Sequence, residues 1–175
     1  DIFNQPIDNL PNTLHNLKIK NFIFDDKKER SRIHKLDKSD NRDINDEGFN
    51  QSISNLPPNL HTLVIASDIF NHHLDNLPQS LNELFFSGYD FDLSLDKLPS
   101  NLNFLLIDDN HIHYSLDNLP KNLHSLIIKA NTITTPINNL QENLYSLKIN
   151  LTSGSPTITK FPEFLHALIF DVYGK

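Results

Sequence analysis

The fold of this chain can be predicted from one segment, Leu102-Asn103-Phe104-Leu105-Leu106-Ile107-Asp108-Asp109-Asn110-His111-Ile112. Leu105 and Ile107 are two residues apart, so in an extended chain their side chains point to the same face. The same apolar spacing returns before and after this stretch, following a Leu-Pro pair or, in the last two copies, Leu140-Gln141 and Phe161-Pro162. The Leu-Pro pairs begin at residues 56, 77, 98 and 119, always 21 residues apart. A fixed period of this length predicts a solenoid, in which each unit buries its apolar face only against its neighbours.

Aligned copies of the unit share their apolar positions. With the Leu of Leu-Pro as position one, positions five, eight and ten are apolar in each copy, and positions fifteen and nineteen are apolar in most. The two-residue step from position eight to position ten predicts a short strand, and the wider later spacing predicts an irregular return path. The predicted inward residues at positions eight and ten are Leu63 and Ile65, Leu84 and Phe86, Leu105 and Ile107, Leu126 and Ile128, Leu147 and Ile149, and Leu168 and Phe170.

The unit resembles the leucine-rich repeat. Residues 102–112 fit the family core L-x-x-L-x-L-x-x-N-x-L at every defined position, and residues 123–133 fit it again. The resemblance implies an α/β solenoid with a parallel β-sheet on its concave face and irregular coil or short 3-10 turns on its convex face. The Asn at position thirteen can satisfy backbone groups where the chain turns away from a strand. Three other copies fill this position differently, with Asp68, Tyr89 and Thr152, and we expect the turns at Tyr89 and Thr152 to differ.

A narrower resemblance covers nearly the whole chain. Two segments are similar to the FNIP repeat, a leucine-rich-repeat variant of social amoebae and giant DNA viruses: Phe3-Asn4-Gln5-Pro6-Ile7 with Asp8-Asn9-Leu10-Pro11, and Phe49-Asn50-Gln51-Ser52-Ile53 with Ser54-Asn55-Leu56-Pro57. Later copies keep only part of the motif. The resemblance implies protein-interaction repeats, often attached to an F-box or other signalling domain. Bacterial effector repeats of similar length also carry Leu-Pro and are the nearest competing assignment.

Length and composition predict one elongated repeat domain spanning residues 1–175. The irregular step of the array lies between Leu10-Pro11 and Leu56-Pro57, which are 46 residues apart. Within it, residues 25–48 are rich in charges of both signs. We predict either a degenerate repeat, with Arg42-Asp43-Ile44 as its strand, or an insertion that leaves the stack as a solvated loop or short helix. We favour the degenerate repeat, because a missing strand would expose a slot in the sheet.

The composition disfavours several classes of partner. The formal net charge of −7 and the pI near 5.6 argue against nucleic acid, whose binders cluster Lys and Arg to release counterions. No apolar run is long enough for a membrane span, and no signal peptide is visible. The absence of Cys favours a cytoplasmic, intracellular protein. Because the chain opens inside a repeat and without Met, we expect flanking sequence.

We predict no catalytic, cofactor-binding or metal-binding residues. Neither H-E-x-x-H, a Gly-rich phosphate loop nor a nucleophile with an ordered base occurs in the sequence. The nine His residues do not form a convincing set of metal ligands. Adjacent His72 and His73 point apart in an extended chain, and His111 and His113 lie on either side of a core residue. The His residues at position six belong to non-adjacent copies: His61, His124 and His166.

The outward face of the predicted sheet carries the candidate site. Positions seven, nine and eleven form three columns there, and four consecutive copies are apolar in the central column. Together with one residue of the neighbouring column they form what we call the apolar strip: Val64, Phe85, Phe104, Leu106 and Ile127. Charged Glu83, Asp108 and Lys129 border it, and an apolar cluster with a charged rim is typical of a binding surface. The alternatives are that these residues serve strand propensity alone, or that a missing part of the protein covers them.

These observations predict a non-enzymatic protein–protein interaction module that recognises a protein partner through its concave sheet, or that associates with itself. One alternative is the substrate-recognition part of a ubiquitin ligase, which would have an F-box upstream of Asp1. The other is a host-directed effector, which would have a signal sequence there.

Overall fold

The computed structural model describes residues 3–20, 48–89 and 91–173, which form a parallel β-solenoid. Within these residues nine strands are formed: β1 (Asn16–Lys20), β2 (Thr62–Ala66), β3 (Glu83–Ser87), β4 (Phe104–Asp108), β5 (His111–Ile112), β6 (Ser125–Ala130), β7 (Thr132–Ile133), β8 (Ser146–Leu151) and β9 (Ala167–Val172). One parallel sheet has seven strands in the order β1-β2-β3-β4-β6-β8-β9, and β5 pairs with β7 on the return path.

The register of the large sheet repeats the period of the sequence. Leu84 of β3 is the Cα partner of Leu63 in β2 and of Leu105 in β4, and the column continues through Leu126 and Leu147. All five side chains are fully buried, at 0% exposure. The predicted strands and their inward positions eight and ten are therefore confirmed for β2, β3, β4, β6 and β8, whereas in β9 Leu168 and Phe170 are 46% and 40% exposed. Because equivalent residues align, each inward position becomes a continuous apolar column through the core.

No helix occurs in the described residues, so the predicted α/β class is wrong for this part of the chain, and of the two predicted return paths, irregular coil or short 3-10 turns, the 3-10 turns are not found. It follows that none of these residues forms a helix able to cross a membrane. The length of the unit explains the difference. A strand such as β3 spans about 17 Å at roughly 3.3 Å per residue, and a helix would need about eleven residues to return over that distance. A 21-residue unit would then have only about five residues for both turns.

The irregular step of the array lies between β1 and β2. These strands pair directly, with Leu17 opposite Leu63. Residues 21–47, which include nearly all of the predicted segment 25–48, lie outside the described residues, so both interpretations of that segment stay predictions.

The Phe-Asn pairs hold neighbouring return paths together. The ring of buried Phe49 stacks on Phe3 of the layer before it and on Phe70 of the layer after it, with centroid distances of 6.0 Å in both cases. Next to the rings, Oδ1 of Asn4 accepts a hydrogen bond from the backbone N–H of Asn50 at 3.0 Å, and the contact recurs one layer on. Each pair thus combines apolar stacking with a hydrogen bond between layers.

A ladder of Asn residues at position four follows the turns, and the sequence analysis did not predict it. Nδ2 of Asn101 donates to the backbone carbonyl of Gln79 in the preceding layer at 2.9 Å. The same bond recurs in three further layers, at Asn59, Asn122 and Asn143. These amides satisfy backbone carbonyls at the turns of the preceding layer.

Position thirteen forms a further ladder. Nδ2 of Asn131 donates to Oδ1 of Asn110, and the hydroxyl of Thr152 donates to Oδ1 of Asn131 at 2.6 Å. Asn110 is buried, with 6% of its surface exposed. Its backbone N–H donates to the carbonyl of Tyr89 in the preceding layer at 3.2 Å. Thr152, where we expected a different turn, therefore continues the ladder through its hydroxyl.

Candidate functional site

The apolar strip lies on the outward face of the seven-stranded sheet. In β3, Leu84 and Phe86 enter the core, so Phe85 between them points outward. The same alternation holds in the neighbouring strands and sets the central column of the strip. Its half-buried members are successive Cα partners across β2, β3, β4 and β6: Val64, Phe85, Leu106 and Ile127. The structure thus brings these four residues together as the period predicted.

Phe104 lies two residues before Leu106 in β4, so it belongs to the neighbouring outward column. Its Cα partner is Glu83, and its ring reaches diagonally to Phe85, with centroids 4.9 Å apart and planes inclined by 33°. An aromatic contact of this kind contributes about 0.5–1.5 kcal/mol beyond the burial of its area. The strip therefore has an aromatic centre at β3 and β4, with aliphatic residues on either side.

Charged side chains border the strip. Asp108 and Lys129 are Cα partners, and their carboxylate and ammonium groups lie 3.6 Å apart. Both side chains remain partly exposed, so the ion pair contributes little to stability. Lys18 and Lys148 stand beyond the two ends of the four-residue apolar column. The outward face thus offers an apolar centre within a rim that carries both charge signs.

A row of aromatic rings crosses the sheet at position six, directly before the first residue of each of its strands. The sequence did not lead us to predict this row. The ring of Tyr145 stacks on His124 at 5.0 Å and on His166 at 4.3 Å, with interplanar angles of 7° and 15°. Pairing of β1 with β2 also brings His15 next to His61, with centroids 5.1 Å apart. The signal that would have revealed the row is Tyr145, which occupies position six between two His residues.

Several His side chains use their ring nitrogens in hydrogen bonds within the protein. Nδ1 of His61 donates to the carbonyl of Asn59 at 2.7 Å, and Nδ1 of His111 lies 2.8 Å from the hydroxyl of Thr132. Across the described ranges of the chain, no three His, Asp or Glu side chains are grouped so that they would hold a metal ion.

Tyr114 and Asp109 form a buried polar pair away from the strip. The hydroxyl of Tyr114 donates to Oδ2 of Asp109 at 3.4 Å, while Oδ1 of Asp109 accepts the N–H of Asn110 at 2.7 Å. Burial first, and then the Asp109 carboxylate, raise the pKa of Tyr114 well above its ordinary value. With exposures of 7% and 3%, Tyr114 and Asp109 are inaccessible to a substrate. The pair therefore has a structural role.

A depression of about 570 Å³ lies near the turns of the last layers and shares no residue with the strip. Its lining is mostly polar and includes Asp117, Lys121, Glu142, Asn143 and Lys160. Opposite charges and amides in an open surface of this kind do not define a nucleophile or a general base.

Comparison with known proteins gives one distant similarity. No protein-family model matches the chain, and no curated protein matches it. Among solved structures, the chain is similar to the crystal structure of CroV588, described as a novel circular LRR protein, with a TM-score of 0.33 and 21% sequence identity. The similarity covers 72% of this chain and 30% of that one, so the chain spans less than a third of the protein it matches. The assignment to the parallel β-solenoids rests on the strand register of the chain itself.

Proposed function

We propose that this chain is a non-enzymatic protein-interaction module of leucine-rich-repeat type, built from FNIP-like units, and that it binds a protein partner through the apolar strip. The observation that carries the proposal is the column of half-buried apolar residues on four consecutive strands. Parallel sheets usually have both faces covered. An apolar outward column of such a sheet is a surface that another molecule would cover.

The strip also suggests the chemistry of the partner. Phe85 and Phe104 form a ring pair at its centre, which suits an aliphatic or aromatic anchor on the partner. The rim has both acidic and basic groups, so a partner with mixed charges would fit better than a polyanion. The net charge of −7 likewise favours a protein over nucleic acid. Because strands hold these side chains in place, binding would not require a loop to become ordered.

The test is affinity capture with the double variant Phe85→Ser and Leu106→Ser. Both side chains point away from the core, so their loss opens no internal cavity and the fold should survive. Proteins that wild type captures should be lost by the double variant. Tyr145→Ser is the matched control, because it removes an aromatic ring that is 43% exposed and lies directly before β8, outside the strip. The control should capture the same proteins as wild type.

Thermal unfolding of each variant separates loss of binding from loss of fold. A well-folded double variant that still captures every partner of wild type would contradict the proposal. The strip residues would then serve strand formation only.

A further inference from the structure

The apolar strip lies on a face of the sheet and not on an edge. Each of its strands, β2, β3, β4 and β6, is paired with a neighbouring strand on both sides. A segment that covers the strip therefore cannot join the sheet as a further strand, since that requires an edge. Its own N–H and C=O groups must be satisfied within the partner, because unpaired groups against an apolar surface are costly. A helix achieves this within one segment.

The strip is narrow, which favours a helix over a second sheet. Its central column is apolar from Val64 to Ile127. A packed sheet buries a broad face of several apolar columns, whereas a helix presents one apolar stripe between polar ones. On both sides of the central column the outward residues are mostly polar: Thr62, Glu83 and Ser125 at position seven, and Ser87, Asp108 and Lys129 at position eleven.

The spacing of the column matches a helix that crosses the strands. Val64 and Ile127 lie three strands apart in the order of the sheet, which is roughly 14 Å at about 4.8 Å per strand. A helix rises about 5.4 Å per turn, so it can place one apolar side chain against each strand. An extended segment has its alternate side chains about 6.7 Å apart and would fall out of step with the column.

A lysine stands at each end of the column. Lys18 is the Cα partner of Val64, and Lys148 is the Cα partner of Ile127. Lys18 is exposed. The Lys148 side chain is 35% exposed, and its ammonium group lies 3.7 Å from the carboxylate of Asp171, a pair that contributes little at this exposure. An acidic side chain about one turn beyond each end of a partner's apolar row would meet these two ammonium groups.

We propose that the segment bound by the strip is an amphipathic helix that lies across β2, β3, β4 and β6, with one apolar residue per turn on the strip and an acidic residue near each end. Lys18 and Lys148 are five strands apart, or roughly 24 Å, which corresponds to a helix of about 16 residues. The proposal rests on the proposed function and specifies the chemistry of the partner at the same surface.

A peptide display library tests the helix. Random peptides of about 20 residues are selected on wild type and counter-selected on the double variant Phe85→Ser and Leu106→Ser, so that binders of the strip remain. Enriched peptides should have apolar residues at i, i+4, i+7 and i+11, with Asp or Glu near both ends. Enrichment of alternating apolar residues, as in an extended segment, would overturn the helix and leave the proposed function standing. If no peptide distinguished the two proteins, both proposals would fail.

A synthetic peptide from this selection gives a second readout. Pro in place of a solvent-facing residue of its middle turn should weaken binding by at least about a hundredfold, because Pro breaks the interior of a helix. Ala at the same position is the control and should leave the affinity unchanged. An extended peptide would accept either residue there, so equal affinities of the Pro and Ala peptides would refute the helix.

Lys18→Glu and Lys148→Glu test the acidic ends. Each should weaken binding of the same peptide by about three- to tenfold at low salt. Lys121→Glu is the matched control, because Lys121 is exposed in a turn outside the sheet and the change in net charge is the same. Equal weakening by all three variants would mean that only net charge matters, and the placement of the acidic residues would be wrong.

Discussion

The side-chain amide of Asn131 donates a hydrogen bond to the side-chain oxygen of Asn110 in the layer before it. The oxygen of Asn131 in turn accepts from the hydroxyl of Thr152. An amide in such a ladder is both donor and acceptor, so its removal leaves a polar group in each neighbouring layer without that partner. The layers are thus held together by polar side chains as well as by the core.

Asn110→Ala and Asn131→Ala should each lower the free energy of unfolding by about 1–3 kcal/mol, since polar groups at or near the core lose their hydrogen bonds. Urea denaturation measures the change. Asn82→Ala is the control, because Asn82 is exposed at position six. A loss for Asn82→Ala as large as that for Asn110→Ala would argue against the ladder as a source of stability.

Leu105→Ala and Leu126→Ala should each cost about 2–5 kcal/mol, because both side chains are fully buried between two layers and leave a cavity behind. Lys129→Ala, on the outward face of β6, should cost little. Denaturant midpoints of the three variants provide the comparison. Small and equal shifts in all three would be incompatible with the observed register.

Phe85 and Phe104 should be energetically coupled, since their rings are in contact. A double-mutant cycle with Phe85→Ala and Phe104→Ala should give a coupling energy of about 0.5–1.5 kcal/mol in the free energy of unfolding. Val64 and Ile127 are the control pair, because they lie on strands of the same sheet that are not adjacent. Their cycle should give a coupling energy near zero, and equal coupling in both cycles would disprove a specific ring contact.

The raised pKa of Tyr114 predicts a loss of stability at high pH. The unfolded chain releases this proton near pH 10, whereas burial keeps the hydroxyl protonated in the folded protein. Between these pKa values the unfolded state binds fewer protons, so the free energy of unfolding falls by about 1.4 kcal/mol per pH unit. The contribution of the protonated Tyr114 hydroxyl to the free energy of unfolding is complete below about pH 10 and is lost as the pH rises above it. Urea midpoints of wild type should therefore fall more steeply than those of Tyr114→Phe above about pH 10. If the urea midpoints of wild type and Tyr114→Phe fell in parallel with pH, the raised pKa of Tyr114 would be contradicted.

The inward pattern of the strands could be predicted because one local signal and the tertiary packing agree. Leu105 and Ile107 alternate with outward residues, and the period places the same pair in the next layer. The return path was not predictable in the same way. The α/β class came with the family resemblance, whereas the length of the unit decides against a helix.

The ladder at position four escaped the sequence analysis for a geometric reason. Aligned copies compare residues 21 apart, but Asn101 bonds the carbonyl of Gln79, which lies 22 residues before it. The outward strip was predictable as a column, and its aromatic contact was not. Phe85 and Leu106 are partners in register, but the ring contact runs diagonally, from Phe85 to Phe104, and a comparison of aligned positions does not reveal it. The exposure of Leu168 and Phe170 in β9 was not predicted, because a period treats every copy as an interior one.

The bonds that join the layers also determine how such an array can change in length. In the ladders at positions four and thirteen the partners are 21 or 22 residues apart from β2 to β8, as at Asn101 and at Asn131. An in-frame recombination that removes one interior unit between equivalent residues therefore restores every core column and every ladder at the new junction. Deletion of a single residue inside a unit would instead misalign all of them at once. Evolution of this chain should thus proceed by gain or loss of whole layers, and shorter insertions should be tolerated where the chain already departs from its period, after β1.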